Sequence, residues 1–169
     1  MGLKEVLVSL NELKTAGIIQ DYAIGGGYAV MFYDIPISTY DLDVLVILPS
    51  EKDYHKLYEH FRDIGTKIEN VYIFIEDMPV QFLPNYISPL FNSAIEEAIT
   101  VEFESIQTKF VSIEYLVLLL LTSFRRKDKI RIQSLIGKTN NKLLQKLIKK
   151  FDNDENILHK RYKEFLADT

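Results

Sequence analysis

Cysteine is missing from the chain, which excludes disulfides, thiolate nucleophiles and thiolate zinc sites. Also missing is a basic stretch followed by an apolar one near the start, because Lys4 and Glu5 interrupt it. The longest apolar run, residues 115–121, falls far short of the roughly 20 residues that a bilayer span needs. No repeat, linker or low-complexity tract breaks the chain, and a net charge of −4 supplies no general pull toward nucleic acid. Together these absences predict a soluble, cytoplasmic protein of single-domain size with no membrane partner.

What is present is patterned. A hydrophobic content of 47% suffices for one substantial core. Leu3, Val6, Leu7, Leu10 and Leu13 recur at helical spacing and Gly17 follows as a C-terminal cap, so an amphipathic helix opens the chain. Residues 18–24 lead into a strand, broken by Gly25, Gly26 and Gly27; residues 28–33 have helical composition, ended by residues 34–36. The β-branched run 40–48 reads as a strand that stops at Pro49. Residues 50–53 resemble a capping pattern ahead of the stripe Tyr54, Leu57, Tyr58 and Phe61. Residues 71–75 and 80–83 read as a hairpin, 90–98 as a short helix behind Pro89, and 100–104 with 108–110 as a strand pair. A strongly apolar helix follows from Ser112 through residue 121, then helical segments at 130–136, 143–148 and 157–166. The fold class predicted is α+β: a small mixed sheet flanked by helices over residues 1–110, with a helical part over 111–169 packed on it.

The chemistry concentrates in residues 22–48. On a strand, side chains alternate between faces, so Asp41 and Asp43 point to the same side. Two like charges so close cost free energy unless a cation lies between them. Mg²⁺ suits such a pair, because it takes carboxylate oxygens together with substrate phosphates. Gly26 and Gly27, at a strand-to-helix turn, can present bare backbone N–H groups to a phosphate. Elsewhere the signals are weaker. Arg125, Arg126, Lys127, Lys129 and Arg131 cluster, as do Lys138, Lys142, Lys146, Lys149 and Lys150, and they read as solvated helix faces before phosphate sites. Glu102 and Glu104 read as solvent-facing charges on one strand face. His55, His60 and His159 lack metal-ligand spacing, whereas Tyr28 and Tyr40 lie near enough to the motif to stack on a base.

Gly26-Gly27-Tyr28-Ala29-Val30, followed by Thr39-Tyr40-Asp41-Leu42-Asp43, resembles the Gly-Gly and Asp-x-Asp signature of the nucleotidyltransferase superfamily, the DNA polymerase β-like fold. The closer likeness is to small bacterial and archaeal nucleotidyltransferase-like proteins, some of them toxins of abortive-infection systems. The resemblance extends over roughly residues 20 to 135, with residues 80–84 in the place of the hairpin strand that carries a third carboxylate. It implies that Asp41 and Asp43 hold Mg²⁺ or Mn²⁺, that the backbone of Gly26 and Gly27 contacts the phosphates of a nucleoside triphosphate, and that Thr39 assists with its hydroxyl. It further implies transfer of a nucleotidyl group to a hydroxyl on an RNA, a protein or a small molecule. The alternative is a catalytically degenerate binding or regulatory module of toxin–antitoxin type, working with a cognate antitoxin or other partner protein. The chain departs from the pattern at four polar positions. Gln81 stands where the third carboxylate belongs and cannot act as a general base; Ile37 stands for a frequent arginine, Leu120 for a frequent lysine and Arg131 for a frequent acidic residue. Glu69, Glu76 and Asp77 are the nearby carboxylates that could stand in for Gln81.

Overall fold

The computed structural model describes residues 2–34 and 36–167. Helix α1 (Leu3–Thr15) buries Val6, Leu7, Leu10 and Leu13 on one face, the stripe that its spacing predicts. Strand β1 (Asp21–Ile24) leads through Gly25 into helix α2 (Gly26–Tyr33). Ile35, which the sequence places in the turn that ends α2, lies outside the described residues. Strand β2 (Leu42–Ile47) is two residues shorter at its start than the run 40–48 suggests, so Asp41 precedes it and Asp43 belongs to it. Helix α3 (Asp53–Asp63) follows, with Ser50 Oγ donating to the Asp53 carboxylate at 2.7 Å.

A two-residue strand that the sequence does not reveal, β3 (Ile68–Glu69), pairs with β4 (Tyr72–Ile75), which turns back into β5 (Met78–Pro84). Helix α4 (Pro89–Glu96) begins with Pro89 in its first turn, and Ser88 caps it by accepting from the Phe91 N–H. The hairpin β6 (Ile99–Phe103) and β7 (Ile106–Phe110) comes next. Glu104 sits in its turn at φ 47°, beyond the strand on which the sequence places it; it and Glu102 are both exposed. The chain closes with α5 (Ile113–Ser123), α6 (Arg126–Leu135), α7 (Asn141–Phe151) and α8 (Ile157–Ala167). Helix α6 starts four residues earlier than its apolar pattern, because Asp128 accepts the Arg125 N–H at 3.0 Å and caps a first turn made of charged residues.

The seven strands of the described residues form one mixed sheet in the order β3-β4-β5-β2-β1-β7-β6. The central strand β2 runs antiparallel to β1 and parallel to β5, and β1 meets β7 in parallel. A strand buried on both faces needs an unbroken apolar run, and Val44, Leu45 and Val46 supply it. Helices α2 and α4 both pack on β2, and α5 packs on both helices as well as on α6, α7 and α8. Helix α5 is thus the common wall between sheet and C-terminal helices, which explains its burial on most sides: Tyr115, Leu116, Val117, Leu118, Leu120 and Leu121 are all buried. Among the described residues no helix is long and apolar enough to cross a membrane.

Candidate active site

Where β1 gives way to α2, the chain passes close to the aspartate strand. Gly25 N–H donates to the Asp43 carbonyl at 2.9 Å, which holds the turn against β2. Gly26 adopts φ +54°, and a Cβ built on it would overlap Asp43 Oδ2. Only glycine satisfies both conditions without strain. Gly27 is equally confined on its other side, since a Cβ there would lie 2.6 Å from Thr39 Oγ1. Thr39 donates in turn to the Asp41 carbonyl at 3.3 Å. The turn, the threonine and the two aspartates therefore form one packed unit, with the start of α2 facing the Asp43 carboxylate.

Asp41 and Asp43 line one cleft of about 380 Å³, together with Gly26, Thr39 and Gln81. Burial and then the charge of Asp41 push the Asp43 carboxyl up to about 6, against the opposing pull of Arg131, Lys127 and Arg125. Across the sheet, Asp43 pairs with Gln81 and Gln81 with Tyr72, so these three side chains stand in one row on the same face. Tyr72 lies in the cleft as well; the charge of Asp41, followed by burial and a hydrogen bond to that carboxylate, raises its phenol above the ordinary value.

None of the three carboxylates that could replace Gln81 does so. Glu69 shares the row through its pairing with Tyr72, but three strand spacings put it about 14 Å from Asp43. It is ion-paired with Lys67 at 2.9 Å. Glu76 and Asp77 are exposed in the β4–β5 turn and do not line the cleft. Among the described residues no group of three or more His, Asp and Glu gathers in a way that could hold a metal by itself. No further carboxylate therefore joins Asp41 and Asp43 beside Gln81 among the described residues.

Part of the basic cluster, with Arg125 and Lys127 exposed as the sequence reading expects, also lines the opposite wall. Arg125, Lys127 and Arg131 line the cleft, where they act on Asp43; Arg126 is exposed away from it, and Lys129 pairs with Glu164 at 2.6 Å. Arg131 is held in place by packing, with a side chain only 13% exposed, and by Asp128 at 3.9 Å. Leu120 of α5 also lines the cleft with an apolar side chain, and the cations come from Arg125, just before α6, and from Lys127 and Arg131 on it. Ile37 is only partly buried and packs on the core. Of the two tyrosines proposed for base stacking, Tyr40 is 70% exposed and meets Tyr72 edge-on, and Tyr28 is not in the cleft. Tyr72 and Phe91 are the aromatic rings in the lining, and sequence reasoning missed both. The hairpin register, once fixed against Asp43, would have found Tyr72. Of the histidines, His55 and His159 are exposed and His60 is half-buried, none of them near the cleft lining.

A mixed sheet with Asp43 on its central strand and Asp41 just before it, and a glycine turn leading into a helix beside them, matches the nucleotidyltransferase-like fold, and the chain has that fold. Among solved structures it is similar to an antigenic nucleotidyltransferase-like protein from Paracoccidioides brasiliensis, with a TM-score of 0.65 and 15% identity over 96% of this chain and 86% of that one. It is also similar to the antibiotic-resistance factor ANT(2'')-Ia. In complex with adenylyl-2''-tobramycin that protein gives a TM-score of 0.52 and 13% identity over 96% of this chain and 98% of the other. Its solution structure gives 0.54 and 12%, over 97% and 93%. No family model and no curated protein sequence matches the chain.

Proposed function

We propose that the protein transfers a nucleotidyl group from a nucleoside triphosphate to a hydroxyl acceptor, in the cleft between β2 and α6. The observation that carries this reading is the opposition within one groove of two coupled carboxylates, Asp41 and Asp43, beside the Gly26 turn, and three cations, Arg125, Lys127 and Arg131. Neighbours of the same fold include a protein solved with an adenylylated antibiotic, which supports nucleotidyl transfer as the chemistry.

The donor set suits Mg²⁺ or Mn²⁺: it offers carboxylate oxygens from Asp41 and Asp43 and the Gln81 amide oxygen, with no sulfur or imidazole. The raised Asp43 carboxyl marks a pair that gains from a shared cation. Asp41 and Asp43, with the Gln81 amide oxygen, would hold the ion, leaving room for oxygens of the triphosphate. When bound, such an ion would supply charge neutralisation for the phosphates during transfer. The protein's own residues do the rest. Gly26 lets the backbone of the turn approach the phosphates, whereas Gly27 is buried against Thr39 and does not line the cleft; Arg125, Lys127 and Arg131 attract the anionic tail, and Tyr72 or Phe91 offers a face to the base. The acceptor oxygen forms a bond to the α-phosphorus while the bond from that phosphorus to the bridging oxygen breaks, and pyrophosphate leaves. The hydroxyl proton passes to solvent, because Gln81 cannot take it. In this reading residues 1–110 form the catalytic core and residues 111–169 the helical part that closes the cleft.

Incubation with labelled nucleoside triphosphates, Mg²⁺ or Mn²⁺ and cell extract tests the proposal by appearance of labelled acceptor and pyrophosphate. Asp41→Asn with Asp43→Asn is expected to abolish the signal; persistence of transfer in that variant sinks the site assignment. Gln81 favours a second reading, a nucleotide-binding or regulatory module with a partner such as an antitoxin. That reading wins if the wild-type protein binds nucleotide but transfers nothing.

A further inference from the structure

The chain separates its charges along its length, and the cleft holds only part of the basic share. Residues 122–169 hold thirteen of the twenty Lys and Arg but only six of the twenty-four Asp and Glu. Lys142, Lys146, Lys149 and Lys150 stand exposed on α7, a helix with no acidic residue, and Lys160 and Lys163 stand exposed on α8. Among the described residues none of these six pairs with a carboxylate, whereas Lys14, Lys56, Lys67, Lys109 and Lys138 each do. Unneutralised like charge on one face costs free energy until an anion meets it.

The face connects to the cleft. Thr122 belongs both to the cleft and to a second groove of about 570 Å³, which carries Lys150 and Arg161 between the starts of α4 and α8. Asp152 joins that groove to a third, of about 480 Å³, where Lys149 of α7 faces Lys163 of α8. The carboxylate of Asp152 is turned to the backbone, accepting from the Leu158 and His159 N–H groups at 2.8 and 3.0 Å, so the cap of α8 uses it. A cationic path therefore runs from Arg125 and Arg131, past Thr122, to the outer faces of α7 and α8.

Resting on the nucleotidyl-transfer reading of the cleft, we infer that the acceptor is a single-stranded polynucleotide, whose backbone follows this path while one hydroxyl enters the cleft. Lys142, Lys146 and Lys149 succeed one another at about one helical turn, roughly 5 to 6 Å apart along the axis. A repeating cation suits a repeating anion, whereas a lone phosphate needs only the cleft. A lipid surface is disfavoured, because Leu144, Leu147 and Ile148, the apolar side of α7, are buried against the protein. A polycationic acceptor would be repelled.

The test is fluorescence anisotropy of a short labelled RNA, and of the DNA of the same sequence, between about 50 and 200 mM salt. Binding by the wild-type protein that falls steeply with salt is expected. The variant Lys142→Gln, Lys146→Gln, Lys149→Gln, Lys150→Gln should bind at least about tenfold more weakly, with a salt slope reduced by about 0.7 for each phosphate that the protein no longer neutralises. Its affinity for ATP with Mn²⁺ should be unchanged, since no altered residue lies in the cleft. A preference between the RNA and DNA arms identifies the source of the strand. The inference is overturned if neither strand binds, if the variant binds like the wild type, or if polyglutamate or phosphatidylserine vesicles bind equally well at the same salt. Failure of the strands with ATP binding intact removes only the acceptor assignment; failure of ATP binding itself removes the reading of the cleft.

Discussion

Gln81 stands beside Asp43 on the neighbouring strand, in register, with Tyr72 as its other partner. In the nucleotidyl-transfer reading a carboxylate at that position would lie within reach of both a divalent ion held by Asp41 and Asp43 and the acceptor proton, so Gln81→Asp is expected to raise turnover about a hundredfold or more, the lower end of what a positioned base contributes. Initial rates of pyrophosphate release across a pH series check this, and an unchanged rate with intact folding removes Gln81 from the reacting centre. Gly26 is the second decisive residue. In Gly26→Ala the new methyl overlaps the Asp43 carboxylate at a backbone angle that alanine resists, so nucleotide affinity should collapse and the stability read from urea unfolding should fall by about 1 to 3 kcal/mol. Wild-type affinity in this variant would refute the close approach.

At the scale of elements, α6 depends on the carboxylate that starts it. Asp128 is fully buried and receives Ser123 Oγ at 2.8 Å, Arg125 Nε at 2.8 Å and the Arg125 N–H at 3.0 Å. Burial alone opposes its ionisation, but these hydrogen bonds, the side-chain ones foremost, hold the carboxyl below its ordinary value of 3.8. A depressed folded-state value contributes stability that is present above the unfolded value and lost as pH falls through the folded one. Asp128→Asn should therefore cost about 1 to 3 kcal/mol at pH 7, and the difference from wild type should shrink as pH drops below 3.8. Urea midpoints at neutral and acid pH measure it; a deficit that stays constant with pH contradicts the cap. Because Arg125 and Arg131 both touch Asp128, the same variant is expected to weaken nucleotide binding.

For the molecule as a whole, α5 is the shared wall, and its burial couples the sheet to the C-terminal helices. Leu118→Ala, at a fully buried position, should lower stability by about 2 to 5 kcal/mol. Both parts should still melt in one transition when followed by far-ultraviolet and near-ultraviolet circular dichroism; two separated transitions would show that residues 111–169 unfold independently. Leu166→Ala, at a side chain half exposed on α8, should stay within about 0.5 kcal/mol of wild type.

The local order of the sequence already contained most of the elements. The stripes of α1 and α3, the apolar α5, the hairpin and the Asp41–Asp43 spacing all follow from periodicities of two and about 3.6, which are properties of neighbouring residues. The glycine turn and the aspartates belong to one short stretch, so their association was legible too. What neighbouring residues cannot encode is which strand lies beside which, and how far. Only the tertiary structure set Gln81 and Tyr72 in one row with Asp43, carried Glu69 beyond reach along that row, and sorted the basic cluster so that Arg125, Lys127 and Arg131 face the cleft. The reason is physical: the register of the sheet and the packing of α5 are decided by burial summed over the whole core, and no single stretch holds that sum.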